Sequence, residues 1–334
     1  MAHKPAIASM SLGRAWVHDL HEKLKQASEA GFTGIEIFYE DLEYLAKKYG
    51  DTDRTNLLQA ASEIRQACDN LSLTIIGLQP FLFYEGLTDR NEHKVKIEKL
   101  KTWFQIVKIF GTDLIQIPSN FQTDNTSGDI SLIVNDMIEV AELGLQENPP
   151  IRFAYENLAW GTHVDTWEKM WEIVTRVNKP NFGCCLDTFN IAGKVWADPT
   201  SQDGKSPNAD RDLEYSMLQL VQTVDVKKVF YIQVVDAERL EEPLIEGHPF
   251  YVDEQPARMS WSRNCRLFLY EYDKGAYLPV VEIARMLTKE LGFEGWVSME
   301  LFSRSMSDPD PSVPRTHAQR GIKAWRRLVK ELEL

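Results

Sequence analysis

Residues 182–190 read Phe-Gly-Cys-Cys-Leu-Asp-Thr-Phe-Asn, an apolar run that turns polar at Asp187. An unbroken apolar run of this length suits a strand buried on both faces, as in a parallel sheet covered by helices. Three other segments of the second half have the same design. IRFAYENL (151–158) becomes polar at Glu156, VFYIQVVD (229–236) at Gln233 and GWVSMELF (295–302) at Glu300. In a parallel β/α barrel the C-terminal strand ends converge on one mouth, where the chemistry is done. Three carboxylates and a carboxamide at one point repel each other unless a cation holds them. The pattern therefore predicts a metal-dependent enzyme with Glu156, Asp187, Gln233 and Glu300 as ligands of one divalent ion. Donors that are all oxygen favour Mg²⁺, Mn²⁺ or Co²⁺ over zinc, which prefers nitrogen and sulfur.

Working outward, the same alternation of strand and helix runs through the chain. Strands are expected at about 5–12, 34–41, 73–81 and 114–119, then at 151–158, 182–189, 229–236 and 295–302. Helix-period segments lie at about 17–30, 55–70, 91–110, 130–147, 165–178, 210–225, 279–291 and 314–333. Eight strand–helix units without a composition break predict an α/β fold, a single (β/α)8 TIM barrel domain over residues 1–334. Gly31 and Gly292 stand at helix exits, in Gly-Phe-Thr-Gly and Gly-Phe-Glu-Gly, where a left-handed residue ends a helix at low cost. A doubly wound open sheet is the rival architecture, and no G-x-G-x-x-G or P-loop follows any strand to support it.

Two connections, 190–210 and the long loop after strand seven, 237–276, exceed the usual two to six residues. Both follow strands and so belong on the catalytic face. The second carries Arg258, Arg263 and Arg266 with Trp261, Phe268 and Tyr270, an arginine-bearing and aromatic loop suited to a small anionic ligand. The chain as a whole is acidic, with a formal net charge of -13. Such a surface repels a phosphate backbone, so nucleic acid is not an expected partner. The N-terminal stretch has no apolar h-region and no segment has the length of a membrane span, so a cytoplasmic location without membrane attachment is expected. Cys68, Cys184, Cys185 and Cys265 lack zinc or disulfide spacing and read as buried thiols; Cys184 and Cys185, adjacent in a strand, face opposite sides.

His163 follows strand five in Trp-Gly-Thr-His and is a candidate general base. His18 and His21 fall early in a helix and read as surface residues, and His248 lies in the long loop. Glu36 and Glu40 from strand two, Gln79 from strand three, and Gln116 and Asn120 from strand four are candidates for the mouth.

These residues resemble the xylose-isomerase-like sugar isomerase/epimerase superfamily and, more narrowly, the fungal-type 3-dehydroshikimate dehydratases of quinate catabolism. The resemblance rests on Ala-Ile-Ala-Ser-Met-Ser-Leu-Gly-Arg (6–14), Leu-Gln-Pro-Phe (78–81), Ile-Gln-Ile-Pro (115–118) and Tyr-Glu-Asn-Leu-Ala-Trp-Gly-Thr-His (155–163). Cys-Leu-Asp-Thr-Phe-Asn (185–190), Tyr-Ile-Gln-Val-Val-Asp (231–236), Ser-Arg-Asn-Cys-Arg (262–266) and Ser-Met-Glu-Leu-Phe (298–302) extend it over nearly the whole chain. Glutamine at the third ligand position sets this pattern apart from many sugar isomerases, which place histidine there. The resemblance implies that Glu156, Asp187, Gln233 and Glu300 are the metal ligands and that Ser262 and Arg266 bind the substrate; Glu36 and Asn190, from their places at the ends of strands two and six, are expected on the substrate side as well. Relatives often read Asp-x-x-His after strand six. Here that position is Asn190, which has no usable pKa, so His163 inherits the proton-transfer role. The implied reaction is dehydration of the small anion 3-dehydroshikimate to protocatechuate. A divalent-metal ketose isomerase or epimerase and a non-catalytic barrel that binds a small acid are the alternatives. An abasic-site endonuclease would call for more histidines and a basic face than this chain has.

Overall fold

A computed structural model describes residues 2–334. Eight parallel strands close into one ring: β1 His3–Ala8, β2 Gly34–Phe38, β3 Thr74–Gln79, β4 Leu114–Pro118, β5 Arg152–Glu156, β6 Phe182–Asp187, β7 Val229–Gln233 and β8 Gly295–Met299. Each pairs with the next in sequence, and β8 returns to β1 with His3 facing Gly295 and Ile7 facing Met299. The predicted (β/α)8 barrel is the fold.

Side-chain alternation explains why the strands read as nearly continuous apolar runs. Ala6, Ile76, Leu114, Ala154, Cys185 and Tyr231 meet inside the ring. Their neighbours Phe153, Tyr155, Cys184, Leu186 and Ile232 join the larger core between ring and helices. Adjacent Cys184 and Cys185 thus enter different cores, and all four cysteines are free and buried. The helix layer is punctuated as its sequence demands. Asp19, Asp53, Asp89, Asp129 and Thr166 each accept a backbone N–H in the first turn of the helix that follows. Gly31 ends the first helix, Leu20–Ala30, at φ 109°, a conformation costly for a residue with a Cβ. No helix among the described residues is long and apolar enough to cross a membrane.

Several local expectations change. β2 stops at Phe38 and a helix, Tyr39–Ala46, follows at once. Ser9 Oγ takes the Phe38 N–H at 2.9 Å and donates to Asp41 Oδ2 at 2.6 Å, while Lys23 also pairs with buried Asp41. These contacts turn the chain out of the sheet, and Glu40 falls on the helix, 3.9 Å from Arg14, instead of on a strand end. His18 precedes the first helix and is buried, with Nε2 2.8 Å from the Asp308 carbonyl. It is not a surface residue, because the C-terminal segment folds back over it. Connection 190–210 begins as a helix, Thr188–Val195, and the long loop contains another, Ala257–Cys265, followed by a short antiparallel pairing of Asp236–Ala237 with Arg266–Leu267.

Candidate active site

Ala154, Cys185 and Tyr231 point into the ring, so the residues two further on must do the same at its C-terminal end. Those residues are Glu156, Asp187 and Gln233; Glu300 stands two beyond buried Ser298, one residue past β8. All four are buried. One carboxylate oxygen from each of Glu156, Asp187 and Glu300 lies within 4.8 Å of the other two. Gln233 Nε2 donates to Glu300 Oε1 at 3.0 Å, which ties the amide to the same cluster. The four predicted ligand residues therefore converge.

Polar neighbours brace them. Gln79 Nε2 donates at 2.9 Å both to Glu300 Oε1 and to Glu36 Oε2. Gln116 donates to Glu156. Asn190 Nδ2 donates to Glu156 Oε1 at 2.9 Å and to Asp187 Oδ2 at 3.0 Å. Arg266 Nη1 reaches Asp187 Oδ2 at 2.8 Å and Glu300 Oε2 at 3.0 Å, and its Nε donates to Ser262 Oγ at 3.0 Å. The guanidinium lies between the rings of Phe189 and Phe302, 4.3 and 5.0 Å from their centroids. That placement comes from the helix Ala257–Cys265. Its Trp261 packs on Phe189 and donates to the Glu238 carbonyl, and the Arg266 N–H bonds the Phe302 carbonyl at 3.0 Å.

The electrostatics are lopsided. When ionised, Glu36, Glu156, Asp187 and Glu300 bring four negative charges out of water against the single positive charge of Arg266. Burial pushes the Glu156 carboxyl well above the usual carboxylate range, and the charges of Glu300 and Asp187 push it further. Burial raises Glu300 to about 8 despite Arg266 beside it, and it raises Asp187 and Glu36 as well. Gln233 Oε1 is buried with no donor to satisfy it. Excess buried negative charge together with an orphaned amide carbonyl is what a hard divalent cation satisfies, so the residues fit such an ion.

Above the cluster opens a cavity of about 130 Å³, lined by Glu156, Glu300, Ser262, Arg263 and Arg266 and walled by Phe38, Phe121, Trp160 and Phe302. Three expectations differ here. Asn190 is fully buried and does not line the cavity; its Oδ1 accepts from Ala159 N–H and its Nδ2 is spent on two carboxylates. Glu36 lies behind the amides of Gln79 and Gln233, also outside the lining. His163 is not brought to the cavity either. The chain turns at Gly161, packed against Ser119, and the His163 ring lies against Gly128, outside the cavity lining. Arg258 is occupied too, donating to the Gly193 and Ala197 carbonyls at the end of the helix Thr188–Val195. The sequence reading missed the aromatic walls; the signal was an aromatic residue at or shortly after two strand ends, Phe38 and Phe302.

Residues 24–328 match the xylose isomerase-like TIM barrel family. A curated 3-dehydroshikimate dehydratase from Neurospora crassa is 52% identical to this chain over 343 positions, covering 100% of it and 96% of the fungal protein. A curated 3-dehydroshikimate dehydratase from Pseudomonas putida is 29% identical over 98% of this chain, which spans 42% of that protein's length. A solved fusion of a xylose isomerase-like TIM barrel with 4-hydroxyphenylpyruvate dioxygenase superposes with a TM-score of 0.74 at 25% identity, over 98% of this chain and 43% of the fusion. The family match begins before β2 and runs beyond β8, taking in every strand that delivers a residue of the acidic cluster, and on that extent the chain belongs to the xylose isomerase-like TIM barrel family.

Proposed function

We propose that this chain is a divalent-metal-dependent 3-dehydroshikimate dehydratase, with Mg²⁺, Mn²⁺ or Co²⁺ held by Glu156, Asp187, Gln233 and Glu300. The observation that carries the reading is the full-length likeness to the Neurospora crassa dehydratase, laid over a small cavity floored by the buried acidic cluster.

In 3-dehydroshikimate the carbon beside the ketone carries a hydrogen and a hydroxyl, and the next carbon carries the leaving hydroxyl. Removal of that hydrogen, departure of the β-hydroxyl with a proton as water, and transfer of a ring methylene proton to the ketone oxygen give the aromatic ring of protocatechuate. A divalent ion held by Glu156, Asp187, Gln233 and Glu300 would supply Lewis acidity that stabilises the negative charge formed on proton removal. The chain's own residues orient and deprotonate. Arg266 and Ser262 hold the substrate carboxylate: Nη1 and Nε of Arg266 are anchored by Asp187, Glu300 and Ser262, and Nη2 has no protein partner among the described residues. Arg263 on the rim, whose side chain bonds only Gln255, adds positive charge to the entrance. No histidine among the described residues lines the cavity and its only carboxylates are Glu156 and Glu300, so the proton acceptor is an oxygen of one of these that the metal leaves free. The aromatic walls exclude water from the charge that develops.

The test is purified protein with 3-dehydroshikimate, followed for protocatechuate absorbance before and after chelation. Product should appear, stop on exhaustive chelation and return with Mg²⁺, Mn²⁺ or Co²⁺. Turnover that continues in protein shown metal-free by elemental analysis would remove the metal from the reading. An isomerised product in place of an aromatic one would move the chain to the isomerase and epimerase class.

A further inference from the structure

We propose that Glu36 is the positioning residue of the metal centre: with Gln79 it clamps the Gln233 amide in the one orientation that turns Oε1, and not Nε2, toward the cation. The inference rests on reading the acidic cluster as a metal site, and it goes beyond that reading by giving a role to a buried carboxylate that touches neither the cavity nor the three-carboxylate cluster.

A glutamine ligand has a difficulty that a carboxylate ligand lacks. Its amide can flip, and flipping replaces a metal-binding oxygen with an NH₂ group that repels the ion. Around Gln233 every neighbouring acceptor lies on one side. Nε2 donates to Glu36 Oε2 at 3.1 Å, to Glu36 Oε1 at 3.3 Å and to Glu300 Oε1 at 3.0 Å. Oε1 receives no donor, although it is buried. In a protein interior an orphaned carbonyl on a side chain whose nitrogen is so well served marks the direction from which a ligand is missing. Glu36 is in turn held from the other flank by Gln79 Nε2 at 2.9 Å, which also bonds Glu300. The sequence Gln79–Glu36–Gln233–Glu300 is therefore a closed ring of bonds from β3, β2, β7 and the end of β8. A carboxylate behind a ligand, fixing which of its atoms faces the metal, is the arrangement that accompanies histidine ligands elsewhere, and its removal typically weakens metal affinity about 10–100-fold.

The test reads Mn²⁺ binding directly, by calorimetric titration of metal-stripped protein, in a double-mutant cycle. Glu36→Gln removes the acceptor and gives the Gln233 carbonyl a competing donor, so the Mn²⁺ dissociation constant should rise at least about tenfold, with the circular dichroism spectrum unchanged. Gln233→Glu supplies a ligand with no N–H to orient, so adding Glu36→Gln to it should leave the affinity unchanged or tighten it. Equal weakening in both backgrounds overturns the inference, since a direct ligand or a general structural residue would behave that way. Unchanged affinity in folded Glu36→Gln overturns it too, while leaving the dehydratase reading intact. If the unmodified protein binds no Mn²⁺, the metal site and the inference fall together. Should Glu36→Gln not fold, Gln79→Met, which frees Glu36 from its other flank, must weaken Mn²⁺ in the same direction for the inference to stand.

Discussion

At Arg266 a single side chain answers three demands. Its charge offsets the carboxylates, its plane fits between Phe189 and Phe302, and its fork leaves one amino group for a ligand. Lysine would keep the charge but lose the fork and the stacking. Arg266→Lys should therefore raise KM substantially; a change no larger than that of a remote surface arginine, measured by steady-state kinetics, would put the substrate carboxylate elsewhere, with Arg263 the next residue to examine. His163 illustrates the limit of sequence position as a guide. It stands seven residues beyond Glu156, yet a turn at Gly161 carries its ring against Gly128, outside the cavity lining. Removing a general base costs about 10²–10⁴-fold in rate. His163→Ala should instead leave kcat within a few-fold of the unmodified enzyme, and a loss in the general-base range would return the histidine to the mechanism.

The element that matters most is the helix Ala257–Cys265, because it alone brings both Ser262 and Arg266 into the barrel mouth. Trp261 secures it, fully buried, with its indole N–H 2.9 Å from the Glu238 carbonyl. Trp261→Phe keeps most of the packing and loses that bond, leaving a partly buried carbonyl short of a donor. The expected cost is about 1–3 kcal/mol of stability, measured by denaturant unfolding, together with a raised KM and little change in metal content. A fall in metal content with KM unchanged would show that the helix supports the ligands more than the substrate. The opening of the chain carries a pH-sensitive contact of the same kind. His317, on the C-terminal helix Val313–Leu332, is buried, with Nδ1 2.8 Å from the Ser11 carbonyl. A carbonyl only accepts, so Nδ1 carries the proton; burial, with the charge of Arg320, pushes the imidazole down to about 4. Between its ordinary value near 6.5 and about 4, the unfolded chain binds a proton that the folded chain refuses, so His317 destabilises the fold as pH falls through that window. His317→Gln should show less loss of stability between neutral pH and pH 4 than the unmodified protein, and parallel pH–stability curves would refute the assignment.

On the scale of the whole molecule, binding at the mouth is coupled to folding, because the unfolded chain has no such cluster of carboxylates. A site binding the folded state alone adds about 2.7 kcal/mol at a free metal concentration a hundred times Kd. For a chain of 334 residues this corresponds to a rise in Tm of about 4 °C. Melting curves of metal-stripped protein with added Mn²⁺ should show it, and Glu156→Ala together with Glu300→Ala should abolish both the rise and the activity while leaving the barrel folded.

The sequence by itself determined the barrel and the four residues that meet at its mouth. Strand alternation and apolar runs are local properties: whichever way the helices pack, Asp187 must face the same way as Cys185, and Gln233 the same way as Tyr231. Strand order in a parallel barrel then brings these residues to one end. What only the tertiary structure decided are the partners that reach the mouth from distant parts of the chain. Glu36 belongs behind Gln233 because β2 and β7 both turn these side chains into the ring, with only β1 and β8 between them although the residues are 197 apart in sequence. Asn190 braces two carboxylates and does not line the cavity because its helix turns it onto Glu156 and Asp187. His163 misses the cavity, and Arg266 enters it, through loop paths set by contacts at Gly161 and Trp261 that no periodicity encodes. Strand faces follow from backbone geometry residue by residue, whereas loop paths are settled by packing between segments that the linear sequence keeps far apart.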